Sequence, residues 1–323
     1  MDIADGTSDN TRITSFADDT RASRAIFSVG DMEALQQDIN TIYSWADRVN
    51  MEFNGDKFEC LRCWPHQDKM DLVVNHHYKD SGGLCIEEPT KVKDLGILFS
   101  PDLTFKIHIE KMMKESNKLI GWVFRTFRTR SVRVMMTVWR SLIQPKLDYC
   151  SQLWFPADAH TINLLEDIQR KFTSQIFGFR DKDYWERLSQ LKLYSQERRH
   201  ERYAVIFLWK CAVGLVDGYT INFINNPRRG RLCIVRTVNK KAPTQVKKAS
   251  EASLAVRGAR IFNLLPRNVR DTALQVTNSV IPFKTKLDNF LSNIPDQPTI
   301  QTRRRPAMTN SLLDQIPITV RFL

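Results

Sequence analysis

Between residues 11 and 26 short runs of Ile, Thr and Phe flank the polar step Ala17-Asp18-Asp19-Thr20, a pattern that predicts two strands joined by a turn. Gly30-Asp31 then supplies a stop and an N-cap. Met32, Leu35, Ile39, Ile42, Tyr43, Ala46 and Val49 follow at helical spacing. Asn54-Gly55-Asp56 breaks that period, and residues 57–64 and 92–99 read as strands, the second around Leu95-Gly96-Ile97. Beyond Pro101 the period is helical over 105–126, 131–143, 161–177 and 185–216. In the third run Ile162, Leu165, Ile168, Phe172 and Ile176 form one stripe fit for burial. A shorter helical pattern returns at 283–291, and the tail from Pro295, with Arg303-Arg304-Arg305, reads as poorly ordered. The expectation is an α+β chain: a mixed region over 1–100, helices over 101–226, and a basic linker, short helices and a disordered tail over 227–323.

Composition sharpens this picture. With 42% hydrophobic residues in 323, a real core can form and wholesale disorder is not expected. The formal charge of +12 favours a polyanionic partner, nucleic acid or an anionic membrane surface. A membrane span needs roughly 20 uninterrupted apolar residues; the best stretch, 205–216, is broken by Lys210, so a membrane partner is not expected. The acidic, polar first residues lack the basic start and apolar run of a secretory signal. Six scattered cysteines fit free thiols in a reducing compartment better than a disulfide framework. An intracellular setting is expected, with nucleus and cytoplasm undistinguished.

Two features carry chemistry. Adjacent carboxylates at a hairpin tip, Asp18 and Asp19, can direct oxygens at a hard cation such as Mg²⁺. A two-metal site also needs a carboxylate from elsewhere in the chain, and an arbitrary Asp-Asp step is more often a solvated turn. The second feature is cationic. Residues 116–146 hold seven Lys/Arg and no acid, with Trp122, Phe124, Phe127 and Trp139 interleaved, and residues 227–260 hold ten Lys/Arg against Glu251. Trp139, spaced with Met135, Met136 and Leu142, reads as core. Lys118, Arg125, Arg128, Arg130 and Arg133, together with Arg228, Arg229 and Arg231, read as phosphate contacts. Cys60, Cys63 and His76 approach a zinc spacing, but the fourth ligand does not appear and a structural role is the better reading.

The succession Phe16-Ala17-Asp18-Asp19-Thr20 in a hairpin, an amphipathic helix, Asn54-Gly55-Asp56-Lys57 and Lys93-Asp94-Leu95-Gly96-Ile97 resembles the palm of reverse transcriptases of non-LTR retrotransposons, of the jockey-like or LINE-like kind. The likeness continues through Pro101-Asp102-Leu103-Thr104-Phe105, Gln144-Pro145-Lys146-Leu147-Asp148-Tyr149 and Phe262-Asn263-Leu264-Leu265-Pro266 to about residue 291. It implies an RNA-directed DNA polymerase, a nucleotidyltransferase of a transposable element, with a partial palm followed by a helical thumb. It implies that Asp18 and Asp19 hold Mg²⁺, or Mn²⁺, that Lys57 protonates the leaving pyrophosphate, and that Leu95, Gly96 and Ile97 act as primer grip. The implied partners are an RNA or RNA–DNA template-primer duplex and, in an active polymerase, deoxynucleotides. The family's first catalytic motif and fingers lie well upstream of the Asp-Asp turn, and only 17 residues precede Asp18 here. The expectation is therefore a C-terminal polymerase fragment that binds nucleic acid and is inactive alone, or else a non-catalytic nucleic-acid-binding derivative.

Overall fold

A computed structural model describes residues 2–63, 76–156, 158–216, 223–226, 231–234, 253–272, 279–298 and 310–319. The chain is mixed α and β and forms two compact units, Met1–His108 and Ile109–Leu323. No helix among the described residues is long and apolar enough to cross a membrane.

In the first unit β1 (Thr11–Phe16) pairs antiparallel with β2 (Asp19–Arg24), Phe16 facing Asp19 across the turn. Helix α1 (Val29–Arg48) begins three residues earlier than the N-cap at Asp31 suggests. Ser28 is its N-cap, and a reciprocal capping box with Asp31 uses both side chains. Met32, Ile42, Tyr43 and Ala46 are buried as the spacing requires. Asp38, polar yet buried on the same helix, accepts hydrogen bonds from Ser8 N (2.8 Å), Ser8 Oγ (2.7 Å) and Thr11 Oγ1 (2.5 Å) and so ties the start of the chain down. Residues 57–63 are not a strand. Gly55–Lys57 forms a single 3₁₀ turn, after which Phe58 stacks on Tyr43 at 5.1 Å, and extended pairing is reduced to one parallel bridge, Glu59 with Glu87, with Cys60 N donating to Glu87 O at 2.8 Å. Residue 64 lies outside the described residues. The segment 92–99 folds back on itself as two strands, β3 (Val92–Asp94) and β4 (Ile97–Phe99). Leu95 (φ +45°) and Gly96 (φ +86°) make the reversal, the left-handed pair of a type I′ turn.

Helix α2 (Lys106–Thr126) begins in the last residues of the first unit and lies mostly in the second, where α3 (Val132–Val138), a π turn over Trp139–Ile143 and α4 (Gln144–Asp148) follow. Short α5 (Ser151–Trp154) leads to α6 (Ala159–Thr173), which buries Ile162, Leu165, Ile168 and Phe172 of the predicted stripe, while Ile176 is buried just beyond the helix end. The long helix expected over 185–216 is two. Helix α7 (Tyr184–Leu191) ends at Lys192 with φ +53°, and Ser195, accepting from Arg198 N at 3.1 Å, starts α8 (Gln196–Ala212).

Strands β5 (Phe223–Asn226) and β6 (Arg231–Ile234) pair antiparallel. Residues 254–260, expected in a linker, instead belong to α9 (Leu254–Leu264), which buries Val256, Ala259, Ile261 and Phe262. Gly258 permits its close approach to α8, because a Cβ there would lie 2.2 Å from Leu208 Cδ1. After α10 (Arg267–Arg270), α11 (Ile281–Leu291) stacks Phe283 on Trp209 at 4.9 Å. The expected tail is partly core as well. Helix α12 (Leu312–Thr319) adds Leu312 and Ile316 to the cluster around Val205, Trp209 and Phe262, which Ile294, just before the tail, also joins. Residues 303–305 lie outside the described residues.

Candidate nucleic-acid interface

Two hairpins of the first unit carry residues of the proposed chemistry. In β1–β2 the reversal is made by Ala17 (φ +53°) and Asp18, which leaves Asp18 and Asp19 exposed with Phe16 beside them, 68% exposed. In β3–β4, Ile97 is buried, anchoring a turn on which Leu95 is exposed. The hairpins are tied together by Arg21 of β2, whose Nη1 donates to Asp94 Oδ2 at 2.9 Å. That bond links a residue two places beyond Asp19 to the residue immediately before Leu95. Lys57 is exposed on its 3₁₀ turn, which is closed by Lys57 N donating to Asn54 O at 3.0 Å.

Asp18 and Asp19 alone do not make a metal centre. Among the described residues no three His, Cys, Asp or Glu side chains gather in a way that could hold a metal ion. A two-metal clamp needs carboxylates from separate segments, and here the two come from one turn. Cys60 and Cys63 are likewise free thiols, their pKa values raised by burial.

The basic face lies on the second unit. Lys118 and Arg125 are exposed on α2, Arg128 follows it, and Arg133 is exposed on α3. Arg130 is engaged differently. Its Nη2 donates to Phe124 O at 2.6 Å and its guanidinium lies 4.5 Å from the Phe124 ring centroid, so it closes the end of α2. Trp139 and Met135 are fully buried and Met136 nearly so, whereas Leu142, grouped with them by spacing, is 38% exposed because the π turn rotates it off the core face. Trp122 is 47% exposed beside the cations, while Phe124 is stacked on Phe172 at 5.3 Å. Arg228 and Arg229 lie outside the described residues. Arg231 starts β6.

What the sequence does not reveal is that the polar run Gln196-Glu197-Arg198-Arg199-His200-Glu201-Arg202 is mostly core. Arg198 donates to Ile294 O (3.2 Å) and Pro295 O (2.9 Å). Glu201 accepts from Arg257 Nη2 (2.8 Å), Ser311 Oγ (2.6 Å) and Leu312 N (2.6 Å), pinning α9 and α12 to α8. Burial, and then the carboxylate of Glu201 one turn away, pushes Glu197 up to about 9. Glu166 is pushed up to about 7 by burial, against the opposing hydrogen bonds from Tyr184 and from Glu197 N. Burial also lowers the pKa of His200, so its ring is neutral and Nε2 donates to Leu147 O at 2.8 Å.

Raised carboxyls of this kind can mark catalytic sites, but the surroundings here are structural. The cavity bordered by Ser151, His200 and Glu201 measures about 20 Å³, room for no more than a water. Ser151 Oγ and His200 Nδ1 are not hydrogen-bonded to each other. Spacing could have flagged this core only through Ser195, an N-cap residue in front of the run.

Compared with models of known families, with curated proteins and with solved structures, the chain has no match.

Proposed function

We propose that this chain derives from the RNA-directed DNA polymerase of a non-LTR retrotransposon and binds template-primer duplex through the cationic face of α2 and α3. The observation that carries the reading is the pairing of two hairpins: one presents Asp18-Asp19, the other turns at Leu95-Gly96, and Arg21–Asp94 bridges them. Those are the segments that a reverse transcriptase uses as metal turn and primer grip, and the exposed Lys118, Arg125, Arg128 and Arg133 supply the charge a duplex backbone needs. Mg²⁺ belongs to this reading only where a third carboxylate completes the site, so the chain alone is not expected to polymerise.

The test is fluorescence anisotropy of the full chain with an RNA–DNA primer-template across a salt series. Affinity is expected to fall steeply with salt and to be indifferent to sequence. Arg125→Ala, Arg128→Ala and Arg133→Ala should each lower the salt slope by about 1. A salt-independent affinity would sink the reading. Among the described residues no third carboxylate joins Asp18 and Asp19 in a metal-holding group, which favours a second reading, a derivative that only binds. Supplying the upstream polymerase half of such an element in trans separates the two. Restored Mg²⁺-dependent primer extension that Asp18→Ala abolishes supports polymerase descent with retained chemistry, and no restoration leaves binding alone.

A further inference from the structure

A cleft of about 650 Å³ opens in the second unit where the π turn and α4 meet the α7–α8 loop and the first turns of α8. Its volume falls within the range that holds a small molecule of nucleotide size. Four cations border it, Arg140, Lys192, Arg199 and Arg202, against one acid, Asp148.

The two arginines of α8 are held in a particular way. Arg199 Nε and Nη2 grip Asp148 at 2.7 to 3.1 Å, and Nη2 also donates to Tyr203 Oη at 2.7 Å. Arg202 Nε and Nη2 grip Asp288 at 2.5 and 2.7 Å. In both residues the carboxylate takes one edge of the guanidinium, and Nη1 has no hydrogen-bond partner among the described residues. Asp148 is itself fixed by Gln144 Nε2 at 2.8 Å. Such clamped arginines lose little freedom on meeting an anion. Arg140 and Lys192 are exposed, and Tyr194 adds an aromatic wall. The wide turn and the left-handed Lys192 are the local irregularities that open the space.

We infer that this cleft is a binding site for a nucleoside phosphate, with the phosphate on Arg140, Lys192 and the free edges of Arg199 and Arg202 and the base against Tyr194. The ligand could be a free nucleotide or the 5′-phosphorylated end of a strand, and both present the same chemistry. None of Lys118, Arg125, Arg128 and Arg133 lines the cleft, and the inference stands whether or not the polymerase reading does.

The experiment measures binding of AMP and of a fluorescent 5′-phosphorylated oligothymidylate to the full chain, each against adenosine or the 5′-hydroxyl strand. Binding that requires the phosphate, and that weakens roughly tenfold or more in Arg140→Gln or Lys192→Asn, as loss of a charge-assisted hydrogen bond implies, bears the inference out. Asn is chosen because it tolerates the left-handed backbone at 192. Arg140→Lys, which keeps the charge, should recover most of the affinity. If only the strand responds, the ligand is a nucleic-acid end; if AMP responds too, the pocket takes the nucleotide itself. Equal affinity with and without the phosphate, or Arg140→Gln and Lys192→Asn binding like the parent, overturns it. Loss of duplex binding in the Arg125, Arg128 and Arg133 variants with AMP binding intact separates this site from the α2–α3 face.

Discussion

Glu197 and Glu201 stand one turn apart on α8 and share a single guanidinium, Arg257, at 3.7 and 2.8 Å. One cation cannot neutralise two buried carboxylates, so the proton stays on Glu197. Its pKa in the fold, about 9, lies above the ordinary 4.5 of an unfolded chain. The folded state therefore holds a proton that the unfolded state has given up. Stability from this group is fully present below about pH 4.5 and drains away as pH climbs toward 9. Glu166, at about 7, adds to the loss over the lower part of that window. The melting temperature of the chain should fall between about pH 6 and pH 9. Glu197→Gln, which imitates the protonated carboxyl, should flatten the fall, and an equally steep profile in that variant would refute the assignment. Asp38 runs the opposite way in the first unit. Burial would raise its pKa, but hydrogen bonds from Ser8 and Thr11 outweigh it and hold the carboxyl down, so its contribution is lost only in acid.

Among the elements, the β3–β4 hairpin makes the sharpest forecast. A leucine at φ +45° is strained by its Cβ, whereas Asn accepts that backbone readily at the first position of a type I′ turn. Leu95→Asn should stabilise the first unit by about 0.5–1 kcal/mol, a rise of a few degrees in melting temperature. The same change should weaken template-primer binding if Leu95 grips a primer, so thermal melting and anisotropy on one variant settle both points. A fall in melting temperature would show that the turn is not as described.

Elements with one apolar face were readable from the chain: α1, α2 and α6 show the period of burial directly, whereas the mostly exposed hairpin around Asp18 was readable from its Ile, Thr and Phe flanking a polar turn. Elements whose contacts come from elsewhere were not. The segment 57–63 has strand-like composition but makes only one β-bridge while Phe58 packs on Tyr43, and α9 hides in a basic stretch because Arg257 turns inward to two glutamates. The break at Lys192 rests on a left-handed residue that has no strong sequence signature outside Gly and Asn.

Across the whole molecule, charge tells less than its sum suggests. The formal +12 counts every Lys and Arg alike. Yet Arg24, Arg198 and Arg257 are spent inside, with side-chain exposures of 6, 0 and 14%, and Arg130 is folded onto Phe124. Among the described residues, Lys118, Arg125 and Arg133 on α2 and α3 and Arg140 and Lys192 at the cleft stay exposed to a polyanion. The candidate site was accordingly half legible: the Asp-Asp turn and the exposed arginines stood out by residue type. The cleft did not, since its members come from segments that touch only after folding.

One small junction sets the order in which the second unit can be completed. Ser195 N and Oγ donate to Asp296 at 2.7 and 2.8 Å, and Asn310 donates to Ser195 Oγ at 2.9 Å, joining positions 101 and 115 residues apart. While the chain is being synthesised, the start of α8 waits with its buried charges in water until those distant residues leave the ribosome. Closure should thus lag well behind the synthesis of α8 and be slow. Nascent chains halted before residue 310 should be cut by protease near Ser195, and resistance should appear once residue 310 has emerged.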